Sequence, residues 1–441
     1  MSRTSKSIVA AAMVLIMVGA LLSGCSKSAT EPGASGTPEK VTLRFIGMEQ
    51  AGMTVDEQKA VAKEFEDKHP GVTVETTFVS YDALHDKLAT AMAGGGTAFD
   101  VLVVDNTWMA EFAAAGWLMD VTDKITPEMK QQTVDQDVTW RIVTYNGRLY
   151  GMPWMLDQKY FYYNEDMLKQ AGFDAPPKTW EEMVKMARGM KQKGIVEYPI
   201  IWSWAQKEAS NVDFVTLLYG FGGQLESAPG VASFNDDGAK KALQFMVDTL
   251  KEGISNPAST VSVEEDVRNT FSAGKAAFAI NWLYMYDLAN DPKESKVAGK
   301  VKLAMMPVSE AVLAKGIPSA TSNDSMGMAV SAGSKNKELA WEFLHYFTSP
   351  EVQKRYAAHQ LPIWKEAFSD PELLKAQPVT TKMFMEQFPY GHVKVHVPYY
   401  MEYSKIMQLS MQYAFSGQKT PAQSLDEAVG QVNKLAQQYK Q

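Results

Sequence analysis

Phe99-Asp100-Val101-Leu102-Val103-Val104 is a near-continuous apolar run, the pattern of a strand covered on both faces. What precedes it gives the run its context. Val41-Thr-Leu-Arg-Phe-Ile46 alternates apolar and polar residues like a strand. Thr54 to His69 carries Val55, Ala60, Val61 and Phe65 at helical spacing and is stopped by Pro70-Gly71. Val72 to Val79 reads as a second strand. Tyr81 to Ala93 reads as a helix closed by Gly94-Gly95-Gly96, and Trp108 to Ala115 as another helix. The order β-α-β-α-β-α predicts a mostly parallel sheet with helices on both faces. The three glycines follow a helix instead of opening one and lack a Lys-Ser/Thr pair, so they are not a phosphate loop.

In such sheets ligands bind beyond the carboxyl ends of the strands. That singles out Met48-Glu49-Gln50, Ser80-Tyr81-Asp82 and Asp105-Asn106-Thr107-Trp108.

The N-terminus has Arg3 and Lys6 followed by an apolar run from Ile8 to Leu22. This is the length of a signal-peptide h-region and short of the ~20 residues a membrane-spanning helix needs. The run ends at Leu22-Ser23-Gly24-Cys25, which resembles a bacterial lipobox, and Cys25 is the only cysteine in 441 residues. Residues 1–24 are therefore expected to be a leader, Cys25 a lipidated N-terminus, and the Ser-, Gly- and Pro-rich stretch to Lys40 a flexible tether. Two or more acyl chains would hold the protein on the outside of the bacterial cell membrane. The formal charge is -8, and -10 once Arg3 and Lys6 leave with the leader. An acidic exported chain is not built for nucleic acid.

A longer stretch identifies the class. Tyr145-Asn-Gly-Arg-Leu-Tyr-Gly-Met-Pro-Trp-Met-Leu-Asp157 runs on through Gln-Lys-Tyr-Phe-Tyr-Tyr-Asn164, then Ala171-Gly172 and Pro176-Pro177-Lys178-Thr179-Trp180. It resembles the signature of bacterial extracellular solute-binding proteins, family 1, the maltose- and oligosaccharide-type receptors of ATP-driven importers. Further matches follow in order: Phe234-Asn235-Asp236, Phe271 to Ala277 before Ile280-Asn281-Trp282, Thr348-Ser349-Pro350-Glu351, Leu361-Pro362 and Ser416-Gly417. The resemblance spans residue 41 to the end. It implies an α/β, two-lobed clamshell of the periplasmic-binding-protein kind, each lobe a mainly parallel sheet flanked by helices, with three hinge crossovers. Those are expected near Met155–Lys159, Met305–Ser309 and Leu361–Lys365. Residues 41–156 with 309–362 would form lobe one, and 157–308 with 363–441 lobe two.

A sugar presents hydroxyls at its edge and C–H surface on its faces. Buried hydroxyls must be satisfied, since each unpaired polar group costs ~1–3 kcal/mol. Carboxylates do this well, and flat rings cover the C–H faces. The resemblance places a hydroxyl-binding acid at Asp157 and a stacking ring at Trp282, with Tyr284 alongside. Glu49, Tyr81, Asp105, Asn106 and Trp108 follow strands. Trp154 flanks Asp157, and Trp204 is a candidate rim residue. Asp324 stands where relatives usually carry Gly-Gly-Trp, and Trp364 where they often carry a basic residue. Each has a plainer alternative: Glu49 and Asp105 as helix caps, Asp157 as a crossover acid, Trp282 and Trp204 as core.

The expected partners are a small carbohydrate, the transmembrane subunits of an ABC permease and the membrane through its anchor, with the protein acting as a monomer. No cofactor, metal or catalytic residue is expected. Ser-His-Asp, nucleophilic Cys and His-Glu-x-x-His arrangements do not occur. The alternatives are a cell-surface glycoside hydrolase, whose two carboxylates would face each other ~5–10 Å apart, or a receptor for a non-sugar solute such as a metal or peptide.

Overall fold

The computed structural model describes residues 40–49, 52–357 and 360–439. The expected leader, Cys25 and the tether up to residue 39 lie outside the described residues. Strands β1 (Val41–Met48), β2 (Val72–Val79) and β3 (Val101–Asp105) alternate with helices α1 (Val55–Lys68), α2 (Tyr81–Ala93) and α3 (Asn106–Ala114). The local reasons are explicit. Thr54 and Glu57 form a capping box at the start of α1, and Val61, Ala62 and Phe65 bury its inner stripe. All five residues of β3 are buried, as its apolar run predicts.

Two sheets organise the chain. The first has the order β2-β1-β3, then Met326–Val330, then Met152–Met155. The second joins Val301–Ala304, Tyr160–Asn164, Phe278–Asn281 and Ile200–Ile201 in that order. Both are mixed. β1 runs parallel to β2 and β3, but Met326–Val330 is antiparallel to both of its neighbours. In the second sheet Phe278–Asn281 is parallel to Ile200–Ile201 and antiparallel to Tyr160–Asn164. The antiparallel strands that begin at the junction, Tyr160–Asn164 and Met326–Val330, arrive from the opposite lobe, so they run outward where the βαβ strands run inward.

This geometry places the cleft. Asp105, the last residue of β3, pairs with Met326, which also pairs with Met155. Across the junction Tyr160, the first residue of its strand, pairs with Asn281, the last of its own. The two sheets therefore turn their functional ends toward each other. The strand connections meet there as well: Gln158 bridges Asn323, and Thr321–Asn323 pairs in parallel with Gly391–Val393.

The chain leaves the first sheet after Met155 and enters the second at Tyr160. Two further passages differ from the expected ones. Residues 309–320 stay with the second lobe: Ser309 donates its backbone N–H to Gly220, and Trp180 to Val308. The second crossing is thus Thr321–Met326, not Met305–Ser309. Likewise Ile363, Trp364, Phe368, Phe384 and Phe388 fill the first lobe's core, whereas Val395 and Tyr399 fill the second's. The third crossing is therefore near 388–395, not Leu361–Lys365. In both cases the chain leaves a lobe only after its last core residue has been buried, and local patterning does not reveal which core that is.

Candidate interlobe ligand site

At the junction, polar groups from both lobes converge. From the first lobe come Tyr81, at the start of α2, and Asp105. The Asp105 carboxylate caps α3, accepting from the Thr107 N–H at 2.8 Å and the Thr107 hydroxyl at 2.6 Å. Tyr81 donates to its other oxygen at 3.4 Å. Burial pushes the Asp105 carboxyl up to about 6 against the opposing pull of Lys394, with the neighbouring Asp324 adding to the rise.

The hinge contributes Asp157 and Asp324. Their segments are tied together: the Asp324 N–H donates to the Asp157 carbonyl at 3.1 Å, and the Asp157 N–H to Ser325 Oγ at 3.2 Å. The Asp157 carboxylate accepts the Gln158 N–H at 2.8 Å. Burial outweighs that bond and one from Leu283, pushing Asp157 up to about 7.

The second lobe supplies Glu208 and, next to the third crossing, Lys394. The Lys394 ammonium is buried, 2.6 Å from Glu208 Oε1 and 2.7 Å from Asp324 Oδ1. It therefore bridges the hinge to the second lobe. Burial disfavours its charge, but Asp324 and Glu208 more than offset this and hold it well above the ordinary lysine range. Glu208 also accepts from Tyr400 and from Ser404, each at 2.6 Å. At the rim Lys207 reaches Asp82 of α2 at 2.6 Å, an exposed pair spanning the lobes and worth little on its own.

Beside this cluster stands Trp282, directly after the strand Phe278–Asn281 and partly exposed. Its indole N–H donates to Glu264 at 3.2 Å. Tyr284 is also partly exposed, with the Asn281 side chain beside its hydroxyl. Asn106, fully buried next to Asp105, has neither amide atom paired among them, an arrangement that natural structures usually relieve with water or ligand.

The structure thus brings Asp157, Asp324, Asp105 and Tyr81 together, with Trp108 packed 5.3 Å from the Tyr81 ring. Four expected site residues are not brought there. Trp154 is fully buried in the first lobe's core against Phe347. Trp364 is buried in that core too, donating to the Thr348 carbonyl at 2.8 Å. Trp204 is stacked between Trp202 and Phe415 at 5.0 and 5.4 Å. These indoles have found apolar surface within one lobe. Glu49 is exposed at the end of β1. Sequence reasoning passed over Lys159, Glu208, Asp213, Glu264, Lys394 and Tyr400. An isolated lysine or glutamate on a helix or hinge reads as a solvated surface residue; in the fold Lys159, Asp213, Lys394 and Tyr400 are buried, and Glu208 and Glu264 are largely covered. Among the described residues no group of His, Cys, Asp and Glu is placed to hold a metal ion.

A family model of the bacterial extracellular solute-binding proteins matches residues 51–354. The chain belongs to that family. A probable ABC transporter-binding protein of Deinococcus radiodurans is 30% identical over 358 residues, covering 78% of this chain and 81% of its own. Among solved structures, maltose-bound MalE3 of T. maritima is 28% identical with a TM-score of 0.79, covering 89% of this chain and 99% of its own. An ABC transporter solute-binding protein from Thermotoga lettingae with bound α-D-tagatose is also 28% identical, with a TM-score of 0.78 and coverage of 90% and 99%.

The raised Asp157 carboxyl has a consequence for stability. An ordinary carboxyl titrates near ~4, so below that pH the group is neutral in both folded and unfolded chains. The stability linked to its protonation is lost as pH rises through about 7. Asp157→Asn keeps the acceptor for Gln158 without the charge. It is expected to raise the melting temperature at pH 8 by several degrees and to change it little at pH 4.5, as read by calorimetry. An equal shift at both pH values would show that the ionised carboxyl carries no such penalty.

Proposed function

We propose that this protein is the substrate-binding lipoprotein of an ABC importer, capturing a small sugar or polyol between its lobes and presenting it to the permease. The observation that carries the reading is the composition of the junction. Buried carboxylates from the hinge and first lobe stand beside a partly exposed tryptophan of the second. Carboxylates suit a ring of hydroxyls, and an indole suits a C–H face. The solute-bound relatives with maltose and tagatose support the carbohydrate class.

Closure is then the working step. The first lobe offers Asp105 and Tyr81, the hinge Asp157 and Asp324, and the second lobe Trp282. A solute touching all of them makes its full set of contacts only when the lobes meet. It shifts the open–closed equilibrium by its differential affinity for the closed form and no further. The carboxylates serve as acceptors for solute hydroxyls, and the protein performs no chemistry on its solute. A hydrolase with the same acids would release monosaccharides from a disaccharide; the receptor returns it intact.

A thermal-shift screen across mono-, di- and trisaccharides, polyols and amino sugars is expected to yield at least one stabilising carbohydrate, because binding stabilises by mass action. No shift with any of them would remove the carbohydrate class. With the solute so found, Asp157→Ala is expected to weaken binding at pH 8 at least tenfold, ~1.4 kcal/mol, by calorimetry. Unchanged affinity would take Asp157 out of the site.

The N-terminal reading is tested separately. Cys25→Ser is expected to move the protein from the membrane fraction to the soluble extracytoplasmic fraction and to abolish labelling by radioactive palmitate. Continued membrane association without the cysteine would replace the lipid anchor by another attachment.

A further inference from the structure

Trp282 is held in a way that a ring merely filling space would not need. Its indole N–H donates to Glu264 Oε1 at 3.2 Å, and the same oxygen lies 3.1 Å from the Lys159 ammonium. That ammonium sits over the Trp282 ring, 4.5 Å from its centroid. Lys159 is fully buried and is also 3.6 Å from the fully buried Asp213. Asp213 is fixed in turn by the Ser203 N–H and hydroxyl, at 3.0 and 2.9 Å. The backbone is tied by the same residues. Asn281 accepts the Trp282 N–H at 2.8 Å and donates its amide to the Glu264 carbonyl at 2.9 Å, while Tyr162 donates to the Trp282 carbonyl at 2.7 Å.

We propose that Glu264 and Lys159 are positioning residues that lock the Trp282 indole, closing one face with the ammonium and offering only the opposite face to a solute. Three physical points support this. A buried lysine needs carboxylate partners, and here Asp213 and Glu264 supply them, so the ammonium cannot leave its place over the ring. An indole has one donor; giving it to Glu264 fixes rotation about the side-chain bonds and leaves no polar edge for the solute. A cation over an aromatic face is attractive, which holds that face closed. The offered face is therefore apolar, immobile and set before any solute arrives, and preorganisation of this kind raises affinity by removing ordering costs. All these residues belong to the second lobe or to the crossing that enters it, so the arrangement does not wait for closure.

The assignment of the free face to a sugar ring rests on the reading given above; the locking of the indole does not, and the two are tested apart. In ¹⁵N-labelled protein without any solute, the Trp282 indole N–H resonance is identified by its loss in Trp282→Phe. Glu264→Ala is expected to move that resonance upfield, toward a free indole, and to speed its exchange with water. Glu264→Gln retains an acceptor and is expected to leave it near its original position. A resonance unmoved by Glu264→Ala, or displaced equally by both variants, overturns the proposal, since a merely structural glutamate would lower stability without this distinction. With maltose as the probe, Glu264→Ala is expected to bind about tenfold more weakly than the wild type and Glu264→Gln within about threefold of it. Equal maltose affinity in all three, with the resonance displaced as expected, overturns the use of the locked face for sugar and leaves the positioning claim standing. Failure of the wild type to bind any carbohydrate in the screen overturns that use as well.

Discussion

Two lysines, Lys159 and Lys394, are buried where the lobes meet, and a buried ammonium is tolerable only among carboxylates that offset its lost hydration. Much of the junction follows from that requirement. Lys394 draws Glu208 and Asp324 to within ion-pair distance, linking the second lobe to the hinge. Lys159 draws Asp213 and Glu264 and, through Glu264, orients Trp282. The acids outnumber the lysines, and burial raises the carboxyl groups of several of them. Asp105, Asp157 and Asp213 are all raised, to between about 6 and about 7. Glu208, with Lys394 and three hydrogen-bond donors, is lowered instead.

The second constraint is topological. Strand ends from both sheets face the junction, so residues just after β3 and after Phe278–Asn281 are delivered to it whatever their identity. The three connections between lobes lie side by side as short paired segments, Gln158 with Asn323 and Thr321–Asn323 with Gly391–Val393. His392 lies in one of these segments, stacked on Tyr219 with centroids 3.8 Å apart; burial depresses its basicity to about 4, so it adds no charge to the hinge near neutral pH.

Reading the sequence succeeded where the signal was local. The apolar run at Phe99–Val104 announced a strand covered on both faces, and β3 is buried throughout. Asp105 was legible as either a cap or a site residue; it serves as a cap with one oxygen and accepts from Tyr81 with the other. The tryptophans were the weak point. Trp154 and Trp204 are rings near strand ends, as Trp282 is, and Trp364 lies where a crossing was expected, yet each is packed within one lobe. A tryptophan's large apolar surface is equally served by a core or by a cleft, and composition cannot tell which wall it meets.

What the sequence determined by itself was the alternation of strands and helices and the family to which the chain belongs. Those follow from periodicity, capping and ordered motifs, all carried by residues near one another in the chain. Tertiary structure decided where the lobes exchange the chain, which rings reach the cleft, and which lysines are buried. Each of these depends on partners brought from far along the chain: Lys394 with Glu208, Trp282 with Lys159, Trp364 with Thr133. Burial and charge compensation are properties of that assembled neighbourhood, and a linear pattern holds no record of it.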